Sequence, residues 1–326
     1  MRLYGKSSIT EPVEAMNKSG RFVHSYIITG DKGTGRKTAA KYIAMSLMCD
    51  NGNACGECRQ CRRILKNQHP DFIMVKREKD SKNYSVKDIR EKVVSDSYVY
   101  PNDCDRKVYV LYDCEGWMDA AQDALLKITE DPPDTAYFIF TAQNRGSFLP
   151  TLISRSMVMD VHEADFDSCL AALRERFADG DIDDERLADA AVSFCGNIGK
   201  CIDYLEGNEK LMKSVEIVRA AADAIIADNE YELAVALHKI GNDRNEMRDV
   251  LEMLGRVIRD AAVIKNGGDP IGCAANKSAA MAERISDSRL TAMYDAVGTA
   301  SYRCTRNCNV EAAAAVLSGK LLERNI

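Results

Sequence analysis

A short apolar run that ends in a glycine-rich turn constrains this chain more than any other feature. Residues 23–29 lead into Gly30-Asp31-Lys32-Gly33-Thr34-Gly35-Arg36-Lys37-Thr38, and apolar residues recur at helical spacing over 38–48. That pattern predicts a buried parallel strand, a tight loop and a helix. Such a loop aims backbone N–H groups and the positive end of a helix at an anion. An ordinary glycine-rich strand-to-helix turn is the plainer reading of the same residues.

The chemistry of the loop is defective. The phosphate-binding pattern G-x-x-x-x-G-K-[ST] fits Gly30 and Gly35, but the next two positions hold Arg36 and Lys37. Sliding the frame by one recovers Lys37-Thr38 and places Asp31 and Arg36 on the two glycine positions. A lysine in place of the hydroxyl cannot ligate magnesium. An arginine fork also differs from the compact charge of a lysine. A later strand ends Leu111-Tyr112-Asp113-Cys114-Glu115, with acidic residues but no adjacent Asp-Glu pair. Gly30, Gly33, Gly35, Arg36, Lys37 and Thr38 therefore read as a degenerate nucleotide site. Little or no ATP binding and no hydrolysis are expected of it.

Further strands are expected at 71–75, 107–112 and 136–141, with helices at 85–94, opened by a Ser85 cap, and at 119–129. Strand and helix in alternation imply a parallel sheet covered by helices. After residue 163 only helical patterns remain, at 166–177, 184–194 and 198–205, and then throughout 209–326. Gly267-Gly268-Asp269-Pro270 breaks that last stretch. Three domains are expected: an α/β P-loop domain over 1–163, a small helical domain over 164–208 and an all-helical domain over 209–326. The chain has no run of about 18 apolar residues and its first residues do not resemble a signal peptide, so a cytoplasmic protein with no membrane span is expected. A net charge of -6 argues against coating nucleic acid through an overall field, though not against a local basic face.

Twelve cysteines in such a compartment are expected to be reduced. Cys104, Cys114, Cys169, Cys195, Cys201, Cys273, Cys304 and Cys308 are scattered, whereas Cys49, Cys55, Cys58 and Cys61 form C-x5-C-x2-C-x2-C. Four thiolates at that spacing, with Gly52 and Gly56 as turns, suit one tetrahedral Zn2+. Unpaired thiols on a loop and an iron–sulfur cluster are the alternatives. No catalytic glutamate or histidine lies close by, so the zinc in the 49–61 insert is expected to be structural.

Two later blocks complete a pattern: Ala124-Leu125-Leu126-Lys127-Ile128-Thr129-Glu130-Asp131-Pro132-Pro133 and Leu149-Pro150-Thr151-Leu152-Ile153-Ser154-Arg155-Ser156. Together with the phosphate loop, the cysteine insert, His24-Ser25-Tyr26 and His69-Pro70-Asp71, they resemble the clamp-loader subunits of bacterial DNA polymerase III, an AAA+ family. The resemblance covers roughly residues 1–205 and is weak beyond. The defective loop and the missing Asp-Glu pair resemble the delta-prime type of subunit rather than the gamma/tau motor. The resemblance implies a stator in a five-membered ring with gamma/tau and delta subunits. That ring opens a sliding clamp and loads it on primed DNA. It further implies that 164–208 is a lid, that 209–326 is an oligomerising collar, and that Arg155 reaches a neighbouring subunit's ATP site as an arginine finger. Ser156 stands where the family has cysteine. Asn144 falls at a polar sensor position, and Gly196-Asn197-Ile198-Gly199-Lys200 at a second sensor that lacks its arginine.

Without that resemblance, Arg155 reads as a solvated arginine at a helix end, and Asn144 as a loop cap. Three other functions compete: an ATP-hydrolysing motor of the same loader, a P-loop kinase of a small substrate, and a DNA-binding zinc protein. The last would use Arg59, Arg62, Arg63 and Lys66, which otherwise form a solvated helix face. The kinase reading leaves the proline-rich block and the Ser-Arg motif unexplained.

Overall fold

The computed structural model describes residues 2–75, 84–178, 180, 182–268, 270, 275–306 and 308–323. The chain divides into two compact units, Met1–Glu163 and Ala164–Ile326.

The first unit is built on five parallel strands: β1 (Ser25–Thr29), β2 (Phe72–Val75), β3 (Lys107–Leu111), β4 (Ala136–Ala142) and β5 (Met157–Asp160), in the order β2-β3-β4-β1-β5. Every residue of β1, β3 and β4 is buried. This is what unbroken apolar runs produce when helices cover both faces of a sheet. Successive side chains alternate between faces. Tyr26, Ile28, Val108, Val110 and Ile139 join one core, with α1 (Ser7–Ser19) and α2 (Arg36–Met48). Ile27, Tyr109, Leu111, Phe138 and Phe140 join the other, with α5 (Asp119–Glu130) and Trp117. The strand order places β1 between β4 and β5, so the loop after β1 opens at the carboxyl edge of the sheet, where α/β folds bind ligands.

Four elements were not foreseen in the sequence. α1 carries Pro12 inside it and ends at Gly20 with φ 69°. α3 (Arg59–Leu65) follows the cysteines, and its cap is the Cys58 side chain. α6 (Pro150–Ile153) is a single turn, and β5 is a four-residue edge strand. The helix expected over 85–94 does begin at a Ser85 cap, but α4 (Val86–Ile89) passes into a π-helical stretch, Arg90–Ser95.

The second unit is helical: α7 (Phe166–Arg176), α8 (Asp184–Ser193), α9 (Ile198–Leu205), α10 (Glu209–Ile226), α11 (Glu230–His238), α12 (Arg244–Lys265), α13 (Ala275–Arg284), α14 (Asp287–Thr305) and α15 (Val310–Leu321). Asp165, Asp183, Asn197, Asn208, Asn229, Asp243, Ser286 and Asn309 each accept a backbone N–H of the helix they precede. These caps explain why the starts are sharp. One apolar cluster runs through the unit from Cys169 to Leu322. Gly196 has φ 77° and lies so close to the backbone of Ala164 that a Cβ would overlap the Ala164 carbonyl oxygen. Asp269 of the expected break and Cys273 lie outside the described residues. Among the described residues no helix is long and apolar enough to cross a membrane. One expectation fails: Cys195 is disulfide-bonded, so the cysteines are not all reduced.

Candidate functional site

Three residue groups predicted from sequence lie within the first unit. The phosphate-type loop leaves β1 through Gly30, whose φ is 150°, and a Cβ there would meet the Val161 carbonyl oxygen at 2.2 Å. Only glycine lets the chain turn so close to a neighbouring backbone. Thr34 then closes the loop by donating its N–H and its hydroxyl to the Asp31 carbonyl, at 3.2 and 2.8 Å. Gly33 and Gly35 carry φ of 90° and 99°, and Gly35 opens α2.

Two of the loop's cations, Arg36 and Lys37, are paired with acidic residues. Arg36 is buried, with 7% of its side chain exposed; it lies 2.7 Å from Glu115 and 3.4 Å from Asp113. Lys37 is exposed and reaches the other oxygen of Asp113 at 2.7 Å, with its ammonium 5.5 Å from the centre of the Tyr112 ring. Asp113 stands in left-handed backbone, φ 54°, and donates its N–H to the Thr141 hydroxyl at 2.9 Å. The acidic residues after β3 thus face Arg36 and Lys37 directly. Thr38 is half-buried in the first turn of α2.

Lys6, which no sequence signal singled out, is also buried beside this loop. Its ammonium donates to the His162 carbonyl, and its Cε is 4.0 Å from the position of a Cβ on Gly35. Asn144 precedes a 3-10 turn, Arg145–Ser147, without capping it through its side chain.

The four clustered cysteines converge. Their sulfurs all lie within 4.8 Å of one another, with Cys49 3.5 Å from Cys55 and 3.9 Å from Cys58. A tetrahedral zinc with Zn–S bonds of about 2.3 Å needs sulfurs about 3.8 Å apart, so this donor set fits it. Backbone N–H groups already point at the sulfurs: Cys55 at Cys49, Cys58 at Cys55, and Cys61 at Cys58, between 3.3 and 3.5 Å. The N–H groups of Cys58 and Glu57 hold the Cys55 thiol down at about 6, whereas burial pushes those of Cys58 and Cys61 up. Four sulfurs this close could hold one metal ion, which would bind them as thiolates.

The insert is tied to the sheet through His69 and Asp71. His69 Nε2 meets Gln60 Oε1 at 2.8 Å, and its Nδ1 accepts the Asp71 N–H at 3.0 Å, which sets the tautomer. Asp71 is fully buried and accepts the Asn102 N–H, the Asn102 amide and the Asp103 N–H at 2.7 to 2.9 Å. Asp103 in turn pairs with Arg59 and Arg63. Arg62 and Lys66, also expected on this basic face, are exposed.

Arg155 follows α6 and is about one-third exposed. Its guanidinium lies 3.3 Å from Glu130, at the end of α5, and donates to the Thr151 carbonyl at 3.0 Å. The two blocks singled out in the sequence therefore touch through Glu130 and Arg155. Ser156 bonds back to the Leu152 carbonyl at 2.9 Å.

In the second unit, Asn197 caps α9. Lys200 spends its charge on Asp249 at 3.2 Å and Glu252 at 2.9 Å. Burial lowers the pKa of Lys200, but the two carboxylates more than offset this and raise it.

Residues 5–165 match the model of a family described as "DNA polymerase III, delta subunit". The chain is 32% identical to the delta-prime subunit of DNA polymerase III from Yersinia pestis over 43% of its length, and 24% identical to that of Bacillus subtilis over 61%. It is 27% identical to the tau subunit of Bacillus subtilis over 62% of its length. These matches span 42%, 60% and 39% of the relatives' own chains. Over residues 5–165 the first unit of this chain is thus similar to delta, delta-prime and tau subunits of DNA polymerase III.

Proposed function

We propose that this chain is a stator-like subunit of the delta-prime type, which hydrolyses no ATP itself and completes the ATP site of a neighbouring gamma/tau subunit with Arg155. The pairing of Arg36 and Lys37 with Asp113 and Glu115 carries this reading. In a working loop the cations face phosphate and the acidic residues face magnesium. Here each set neutralises the other, and the hydroxyl position is a lysine. Arg155 has a planar fork that matches phosphate oxygens, and its partner Glu130 is largely exposed. Arg155 sits on the surface, at the end of a single turn.

On this reading the partners are gamma/tau and delta subunits in a five-membered ring, with a sliding clamp and primed DNA engaged through the assembly in the cytoplasm. Residues 164–208 act as a lid, with Lys200 paired to Asp249 and Glu252, and 209–326 act as the collar. Cys49, Cys55, Cys58 and Cys61 hold one structural zinc. That ion organises the insert and does no chemistry.

A second reading, an ATP-hydrolysing motor of the same loader, draws on the match to the tau subunit. One experiment separates the two. The purified chain is mixed with gamma/tau, delta and clamp, and ATP turnover is measured for the chain alone and for the assembly. The stator reading expects stable assembly and turnover only in the presence of gamma/tau. Turnover by the isolated chain would establish the motor, and failure to assemble would defeat both.

A further inference from the structure

Gln122 lies in the first turn of α5 and is buried, with 2% exposure. Its side chain makes two bonds to the backbone of a single loop. The amide nitrogen donates to the Ser147 carbonyl at 3.2 Å, and the amide oxygen accepts the Leu149 N–H at 2.7 Å. Both loop residues anchor local structure of their own. Ser147 closes the turn that begins at Asn144, by donating its N–H to the Asn144 carbonyl at 3.3 Å. Leu149 opens α6, since its carbonyl accepts the N–H groups of Leu152 and Ile153 at 3.0 and 3.1 Å.

A helix of one turn has no cooperativity of its own to fix its direction. α6 is such a turn, and Arg155 follows it at once, with its N–H donated to the Leu152 carbonyl at 3.2 Å. The direction of α6 is therefore set from outside, by Leu152 buried in the core and by whatever holds the residue that opens the turn. Gln122 holds it. At the far end of α5, Glu130 pairs with the Arg155 guanidinium. α5 grips the 147–155 segment at both ends, once through the backbone and once through the charge.

We propose that Gln122 is a positioning residue for Arg155: its amide locks the Asn144 turn and the start of α6 into one register, so that the guanidinium is presented in one direction. The inference rests on the proposed trans role of Arg155. A leucine or methionine would fill the same space but leave a part-buried N–H and a part-buried carbonyl without this partner. Glutamate would still accept from Leu149 while setting its second oxygen against the Ser147 carbonyl.

The test is a double-mutant cycle in the assembled loader, with gamma/tau, delta, clamp and primed DNA present. Gln122→Met should lower the maximal rate of ATP turnover about fivefold, the low end of the scale for polar groups that lose a partner, and leave the half-saturating ATP concentration unchanged. Gln122→Glu should recover part of the loss. Gln122→Met combined with Arg155→Ala should be no slower than Arg155→Ala alone, because the two act through one group. Wild-type turnover in Gln122→Met, where Arg155→Ala is impaired, would overturn the inference and leave the role of Arg155 standing. Additive losses would overturn it as well. An unimpaired Arg155→Ala would defeat the trans role itself, and this inference with it. Should Gln122→Met fail to assemble, the same cycle with Gln122→Glu decides.

Discussion

Lys37 and Asp113 stand 2.7 Å apart, a lysine ammonium against a carboxylate where a working loop would hold a metal ion between hydroxyl and acid. The neighbouring pair, Arg36 with Glu115, has the same length but a different setting, since Arg36 is buried and Lys37 is exposed.

That difference sets the first prediction. Lys37→Ala removes an exposed pair and should change stability by no more than about 0.5 kcal/mol. Arg36→Ala removes the buried partner of two carboxylates and should cost about 2 kcal/mol or more. Both variants should leave ATP turnover of the assembled loader nearly unchanged. Thermal unfolding of the isolated chain and turnover of the complex measure the two effects separately.

Arg155→Ala should leave folding and assembly intact and reduce clamp- and DNA-stimulated turnover. Arginine fingers contribute about a thousandfold or more at a single site, but other sites in a ring keep theirs, so the total rate should fall by less. Arg155→Lys should rescue poorly, because charge returns without the fork. Normal turnover and clamp loading in a fully assembled Arg155→Ala complex would rule the role out.

Metal analysis of protein purified without added zinc should find about one zinc per chain. Replacing Cys49, Cys55, Cys58 and Cys61 by serine should remove it and loosen the insert, because ligand geometry and local folding are coupled. Retention of the metal in that variant would refute the ligand set.

Asp71 links stability to pH. Burial alone would raise its pKa, but hydrogen bonds from Asn102 and Asp103 outweigh that and hold it below the usual carboxylate value. A lowered folded pKa stabilises the native state above the unfolded value of about 3.9, and that contribution is lost as pH falls through the folded value. Asp71→Ala should cost about 2 kcal/mol at neutral pH, on the scale of hydrogen bonds to a charged group. The difference from wild type should shrink in strongly acid solution. Denaturant unfolding at several pH values checks both points.

Much of the sheet was legible in the sequence because its strands are continuous apolar runs bounded by turns, and the cysteine insert because its spacing dictates which sulfurs can meet. β5 was not legible: Met157–Asp160 is a short edge strand, half-exposed and without a pattern of its own. α1 was hidden by Pro12. The partners of Arg36 and Lys37 could not be read either, because they lie 77 to 79 positions away for Arg36. Acidic residues after β3 were visible, but which cation each would face depends on the fold alone. Gln122 gave no signal, since a polar residue on a helix is ordinarily solvated, and only the loop packed over it makes it buried.

The shared carboxylate at Asp113 has a consequence for how such a loop can change. Lys37→Thr would bring back a hydroxyl but leave Asp113 with only its longer contact to Arg36. Arg36→Lys would shorten the side chain that reaches Glu115. The first step removes one positive charge beside Asp113, whereas the second keeps the charge and loses the reach of the fork. The paired residues act as a clasp that ties the loop to the segment after β3.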